Sequence, residues 1–196
     1  MYGAWDEEGG FIARLRKFFD SHSQENFVYN LGVPIDETSE KLIKRFELEA
    51  AARTSPGFEE ENITIISIGT NDAQFLRSEN KTRVSENKFE KNIRKLISLA
   101  RKFSSKIIFI GLIGVDESKV NPIPWAPDKS YKNEYIKKYD DLLEKICNDE
   151  NVYYIKLFGK IPKELLEDGC HPNSEGHKMI FEIIKKFLVE HNIIII

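Results

Sequence analysis

The stretch Ile63-Thr64-Ile65-Ile66-Ser67-Ile68, closed by Gly69, constrains the fold more than any other part of this chain. It is β-branched and almost continuously apolar, the composition of a strand covered on both faces and so of a central strand in a parallel sheet. Ile107-Ile108-Phe109-Ile110 reads the same way, and Val152-Tyr153-Tyr154-Ile155 and Phe27-Val28-Tyr29 are shorter strand candidates. Apolar stripes at helical spacing separate them: Phe11 to Phe19 after Gly9-Gly10, Leu42 to Phe46 within Thr38–Arg53, Phe89 to Phe103, Tyr135 to Ile146, and Ile180 to Phe187 within Ser174–Glu190. Strands alternating with helices of several turns require right-handed parallel crossovers, which predicts an α/β fold, a three-layer α/β/α sandwich with a mostly parallel sheet. Such sheets receive ligands at the C-terminal ends of their strands. The loops after Tyr29, Ile68, Ile110 and Ile155 all open on that edge.

No repeat, low-complexity tract or linker divides the sequence, so residues 1–196 read as a single domain. With 29 Lys+Arg against 32 Asp+Glu there is no basic field to hold a phosphate backbone, which argues against a nucleic-acid partner. Cys147 and Cys170 form no C-x-x-C pair, which excludes a zinc ribbon or disulfide framework and suits a reducing compartment. Neither a membrane span of roughly 20 apolar residues nor a secretory leader is evident, so the expected location is cytoplasmic. Oligomeric state is not legible.

Two polar loops interrupt this plain pattern. Gly69-Thr70-Asn71-Asp72 follows the first buried strand; its side-chain amide and carboxylate can cap the next helix or face a ligand. Asp168-Gly169-Cys170-His171-Pro172-Asn173 precedes the last helix, with a carboxylate three residues ahead of an imidazole. An aspartate accepting the Nδ1 proton would fix the tautomer and leave Nε2 as a base for a hydroxyl nucleophile. A plain helix start with a surface histidine accounts for the same residues. So does a metal site built from Asp168, Cys170, His171 and His177, all ligand types for zinc or iron.

Taken together, the two loops resemble the Gly-x-Asn-Asp and Asp-x-x-His-Pro blocks of the SGNH, or GDSL-type, hydrolases. Asn30-Leu31-Gly32 is similar to the block in which a glycine amide supplies part of the oxyanion hole, although Val33-Pro34-Ile35-Asp36 lacks the glycine often found next. Tyr2-Gly3-Ala4-Trp5-Asp6-Glu7-Glu8-Gly9-Gly10 is similar to the stretch that follows the nucleophile block in these enzymes. The resemblance spans nearly the whole chain and implies a flavodoxin-like sheet whose first, central strand, ending in Gly-Asp-Ser, is missing here. It would lie immediately before Met1. Ser21, Ser23, Ser39, Ser67 and Ser174 lack the strand-to-turn setting of a nucleophile.

What the resemblance implies is ester hydrolysis through an acyl-serine, without metal or organic cofactor. His171 would be the base and Asp168 its orienting partner. Asn71 and Gly32 would be oxyanion donors, with Gly69, Thr70 and Asp72 holding the turn. Trp125 and Ile123, in the proline-rich loop that leaves the same sheet edge, are expected to line the pocket of a small-molecule ester, although Trp125 could equally pack the loop down. An N-terminally shortened enzyme is the first reading. The rival is a catalytically dead relative that keeps the pocket for binding. The apolar end Ile193-Ile194-Ile195-Ile196 is expected to be an edge or packed tail, or a strand in the vacated slot.

Overall fold

A computed structural model describes residues 3–22, 26–34, 36–57, 59 and 62–194. Its helices are α1 (Gly10–His22), α2 (Ser39–Ala51), α3 (Glu86–Ala100), α4 (Glu117–Val120), α5 (Asn133–Asp149) and α6 (Ser174–Glu190). The strands are β1 (Ile63–Ser67), β2 (Phe75–Leu76), β3 (Lys81–Thr82), β4 (Lys106–Ile110), β5 (Lys129–Ser130) and β6 (Tyr153–Ile155). β1, β4 and β6 form a parallel sheet in the order β1-β4-β6, with Ile65 beside Ile108 and Phe109 beside Tyr154.

β4 shows why three layers form. Alternate side chains leave opposite faces of a strand. Ile107 and Phe109 enter a core shared with Phe46 of α2, Phe89 and Ile93 of α3 and Tyr139 and Leu143 of α5. Ile108 and Ile110 enter a second core with Phe11 and Leu15 of α1 and Ile180, Ile184 and Leu188 of α6. One continuously apolar strand thus serves two helical layers.

Two strand expectations need correction. β1 is an edge strand, not a central one: Ile63, Thr64 and Ile65 are only half-buried and Ser67 is exposed. Among the described residues nothing pairs along its outer side. Phe27-Val28-Tyr29 forms no strand, with Phe27 75% and Tyr29 56% exposed. β-propensity reflects packing against neighbours, and no described strand lies beside this segment to supply them.

A second sheet, antiparallel in the order β3-β2-β5, ties the loop after β1 to the proline-marked loop before α5. Its two-residue strands are too short to leave a periodic signal. At the C-terminus Asn192 adopts a left-handed conformation (φ 51°), Ile193 N–H donates to Leu188 and Asn192 N–H to Val189. This capping motif folds Ile193 back onto the α1/α6 core. Ile193 and Ile194 therefore form no strand; Ile195 and Ile196 lie outside the described residues. No described helix is long and apolar enough to cross a membrane.

Candidate active site

Gly69 ends the first buried segment with φ +129°, and a Cβ there would come within 3.1 Å of Leu112 and 3.2 Å of Phe89. Glycine is required on both counts. The turn closes as Ala73 N–H donates to Gly69 O (2.9 Å), with Thr70 half-buried inside it. Asp72 is fully buried and anchors the turn: it accepts from Ser39 N–H (3.1 Å to each oxygen) and from Ser39 Oγ (2.5 Å), while Asn92 donates to that hydroxyl (2.8 Å). It thereby fastens the start of α2 and the face of α3 to the loop.

Burial pushes the Asp72 carboxyl up to about 6, against the opposing hydrogen bonds from Ser39. A raised folded-state value means that the stabilisation is complete below the unfolded value near 4 and is lost as pH rises through about 6. Between pH 7.5 and pH 4 the wild type should gain up to about 3 kcal/mol relative to Asp72→Asn, read from urea unfolding at the two pH values. A flat difference would show that Ser39 compensates the burial fully.

Asn71 sits beside this anchor with its amide held at both ends: Nδ2 donates to Glu37 O (2.9 Å) and Oδ1 accepts from Tyr131 O–H (2.6 Å). The second Nδ2 hydrogen remains for a ligand. Burial first, and then the neighbouring Cys170 thiol, raise the Tyr131 phenol above its ordinary value, so it stays an O–H donor. Tyr131 was not legible in the sequence, since a lone tyrosine after a short strand carries no pattern. It joins the two loops: its hydroxyl holds Asn71, its N–H donates to Val120 O (3.0 Å), and Val120 packs where a Cβ on Gly169 would lie (3.2 Å).

Gly32 belongs to a loop tied to α2 by Arg45, which donates to Leu31 O (2.9 Å). Its own N–H donates to Asn30 Oδ1 (2.9 Å), so the Asn30 amide covers the donor that an oxyanion would use.

The Asp168–His171 loop reverses at Gly169 (φ +93°), where a Cβ would come within 2.7 Å of Lys119 Cβ in α4. Asp168 Oδ2 meets His171 Nδ1 at 2.7 Å, and Oδ1 accepts the backbone N–H of His171 (2.9 Å) and of Cys170 (3.1 Å). Burial opposes ionisation of Asp168, but the His171 side chain and the two N–H groups outweigh it and hold the carboxyl below its ordinary range. The His171 side chain is 48% exposed and Asp168 only 17%, which is an accessible imidazole on a sheltered carboxylate. Cys170 is buried, and burial pushes its thiol up.

Asp168, Cys170 and His171 offer ligand atoms within 4.8 Å of one another, but His177 does not join them. It is buried in α6 and stacked on Phe11 (6.2 Å). With Asp168 Oδ2 on Nδ1 and Oδ1 on two amides, hydrogen bonds account for the whole cluster.

Ile123 is 1% exposed and belongs to the core, which corrects its place in a substrate pocket. It faces inward because the turn that pairs it with Ala126 is anchored by its N–H bond to Lys129 O (2.9 Å). Trp125, at the tip of that turn, is 57% exposed, with its ring centroid 6.5 Å from that of His171. Trp5 lies 5.5 Å from the same ring on its other contact. It is held by Asp6, whose carboxylate accepts from Gly10 N–H (2.9 Å), Arg14 (2.9 Å) and Ser174 Oγ (2.9 Å). Ser174 is thus committed to Asp6, Ser39 to Asp72, and Ser23 lies outside the described residues. Among the described residues no serine hydroxyl bonds to His171.

The sequence matches the model of the GDSL-like lipase/acylhydrolase family over residues 1–179. No curated protein matches it. Among solved structures it is similar to the lipase/acylhydrolase from Enterococcus faecalis, with a TM-score of 0.75 and 18% identity over 97% of this chain and 91% of that one. It is also similar to a catalytic mutant of an acetylxylan esterase from Geobacillus stearothermophilus (TM-score 0.70, 17% identity, 90% and 80% covered). An α/β hydrolase from the metagenome of Lake Arreo, Spain, gives a TM-score of 0.67 at 18% identity, with 92% and 80% covered.

Proposed function

The chain belongs to the GDSL-like lipase/acylhydrolase family, and on that premise we propose that it is the body of a serine esterase acting through an acyl-serine intermediate. One observation carries the reading: an exposed imidazole whose Nδ1 is fixed at 2.7 Å by a sheltered, ionised Asp168, leaving Nε2 turned to solvent as a base. The nucleophile would come from a segment upstream of Met1, ending in Gly-Asp-Ser and pairing along the open side of β1. That open side is the support for this part of the proposal, since an edge of Ile63, Thr64 and Ile65 is built to receive a strand. Residues 1–196 would then be a single, N-terminally shortened hydrolase domain.

In the proposed cycle His171 Nε2 takes the serine proton as Oγ attacks the ester carbonyl. The tetrahedral oxyanion accepts from the free Asn71 N–H, from the serine N–H, and from Gly32 N–H once the Asn30 amide turns away. Each such donor lowers the barrier by on the order of 3 kcal/mol. Collapse expels the alcohol, which takes its proton from His171, and water repeats the sequence on the acyl-serine.

The test uses the protein extended by its in-frame upstream codons. It should hydrolyse p-nitrophenyl acetate, and His171→Ala should lower kcat/KM by about 10³-fold or more. The 196-residue chain should turn over little. Rapid serine-dependent hydrolysis by the 196-residue chain, or none by the extended protein, would overturn the assignment; the second result would leave a binding protein in a hydrolase fold.

A further inference from the structure

The small antiparallel sheet places three polar side chains in one row. Phe75 of β2 stands opposite Thr82 of β3 and Ser130 of β5, so one residue nearer to Asn71 the register sets Gln74 between Arg83 and Tyr131. The bond from Arg83 N–H to Gln74 O (2.8 Å) carries the hairpin as far as that row. Gln74 and Tyr131 are buried, and the Arg83 side chain is only 18% exposed.

The row bonds in a single direction. A guanidinium has donors and no acceptor. Arg83 is fixed on both oxygens of Asp36 (2.7 Å to Oδ2) and turns Nη1 to Gln74 Oε1 (3.3 Å). With its oxygen taken, Gln74 has only its NH₂ to offer Tyr131, and it acts on the phenol oxygen as a donor, lowering the phenol's proton affinity against burial. The Tyr131 hydrogen is thereby left for Asn71 Oδ1 (2.6 Å), while Asn71 Nδ2 spends one hydrogen on Glu37 O (2.9 Å). Because an amide is planar, the direction of its remaining N–H is then fixed. Turning the Asn71 amide over would set Oδ1 against Glu37 O and present an oxygen where the donor now stands.

From this we propose that Arg83 is a positioning residue for ester hydrolysis: through Gln74 and Tyr131 it sets the sense of a head-to-tail hydrogen-bond chain whose last N–H, on Asn71, meets the oxyanion. The inference rests on the esterase reading for the oxyanion and on the cross-strand row for the chain. Aligned hydrogen bonds polarise one another by roughly 10–30% each, so a cation at the head also strengthens the donor at the end.

The test compares hydrolysis of p-nitrophenyl acetate by the extended protein and its variants. Tyr131→Phe, which keeps the ring and removes the link, should lower kcat about tenfold with KM within about twofold of wild type. Arg83→Met should lower kcat about three- to tenfold, and Arg83→Lys, which restores a donor-only cation, should recover most of that loss. In an Asn71→Ala background either substitution should change kcat by less than about twofold, because the chain then has no end. A merely structural role would cost the same factor in both backgrounds. In ¹H–¹⁵N spectra the Asn71 side-chain NH₂ pair should shift in Tyr131→Phe and in Arg83→Met, a readout that needs no turnover. Wild-type kcat in either variant, equal losses with and without Asn71, or an unmoved Asn71 amide would each overturn the chain and leave the esterase standing. No hydrolysis by the wild-type extended protein would refute the esterase and the catalytic role together, with the Asn71 amide still reporting the bonds.

Discussion

Replacing Asp168 by asparagine is expected to lower kcat of the extended protein by about 10³–10⁴-fold with KM little changed. The carboxylate has two distinct tasks. Oδ1 accepts two backbone N–H groups of its own loop, and Oδ2 accepts the His171 Nδ1 proton at 2.7 Å. An asparagine that keeps its oxygen on the backbone pair turns its NH₂ toward Nδ1, so Nδ1 must accept and the imidazole proton moves to Nε2. That nitrogen can then no longer take a proton from serine. The opposite rotamer sets NH₂ against two N–H donors, which the loop resists. The expected loss corresponds to about 4–5 kcal/mol of barrier. Thermal stability should change far less, because the Oδ1 bonds survive; a loss in kcat below tenfold would show that Asp168 only shapes the loop.

The sequence makes some of this geometry readable because local spacing fixes it. Asp168 and His171 are three residues apart with Gly169 between them, and almost any tight loop brings such a pair into contact. The two helical layers are equally legible, since Ile107 to Ile110 can satisfy a strand only if both faces are covered. β1 is harder to read: its composition is that of a central strand, yet among the described residues no strand pairs along its outer side, so it stands at an edge. Ile123 and Trp125 are two residues apart in one loop and have opposite fates, set by the Ile123–Ala126 turn and the bond from Ile123 to Lys129. Tyr131 illustrates what spacing cannot reach, because its role is defined by contacts with Asn71 and Val120 that only the folded chain creates.

Asp6 carries the largest expected effect on stability, and its position ties stability to the site. Its side chain is fully inaccessible and accepts from Glu8 N–H, Gly10 N–H, Nε and Nη2 of Arg14, and Ser174 Oγ. Burial works against its ionisation, but the bonds from Arg14 and Ser174 prevail and lower its proton affinity. Because the folded-state value is depressed, this stabilisation is present above the unfolded value near 4 and is lost as pH falls through the folded one. Asp6→Ala strips every one of these donors at once and strands a guanidinium that is only 16% exposed. The expected cost is about 3–5 kcal/mol, a drop of about 10 °C in the melting midpoint at neutral pH. Arg14→Ala should cost less, since Ser174 and the two amides still hold the carboxylate, and the double variant should fall short of the sum by about 1–3 kcal/mol. The same substitution frees the backbone that keeps Trp5 left-handed, so its emission should shift to longer wavelength in Asp6→Ala at temperatures where the fold persists. A midpoint within about 2 °C of wild type with unchanged emission would mean that the N-terminal loop is held by packing alone, and that Trp5 reaches His171 without Asp6.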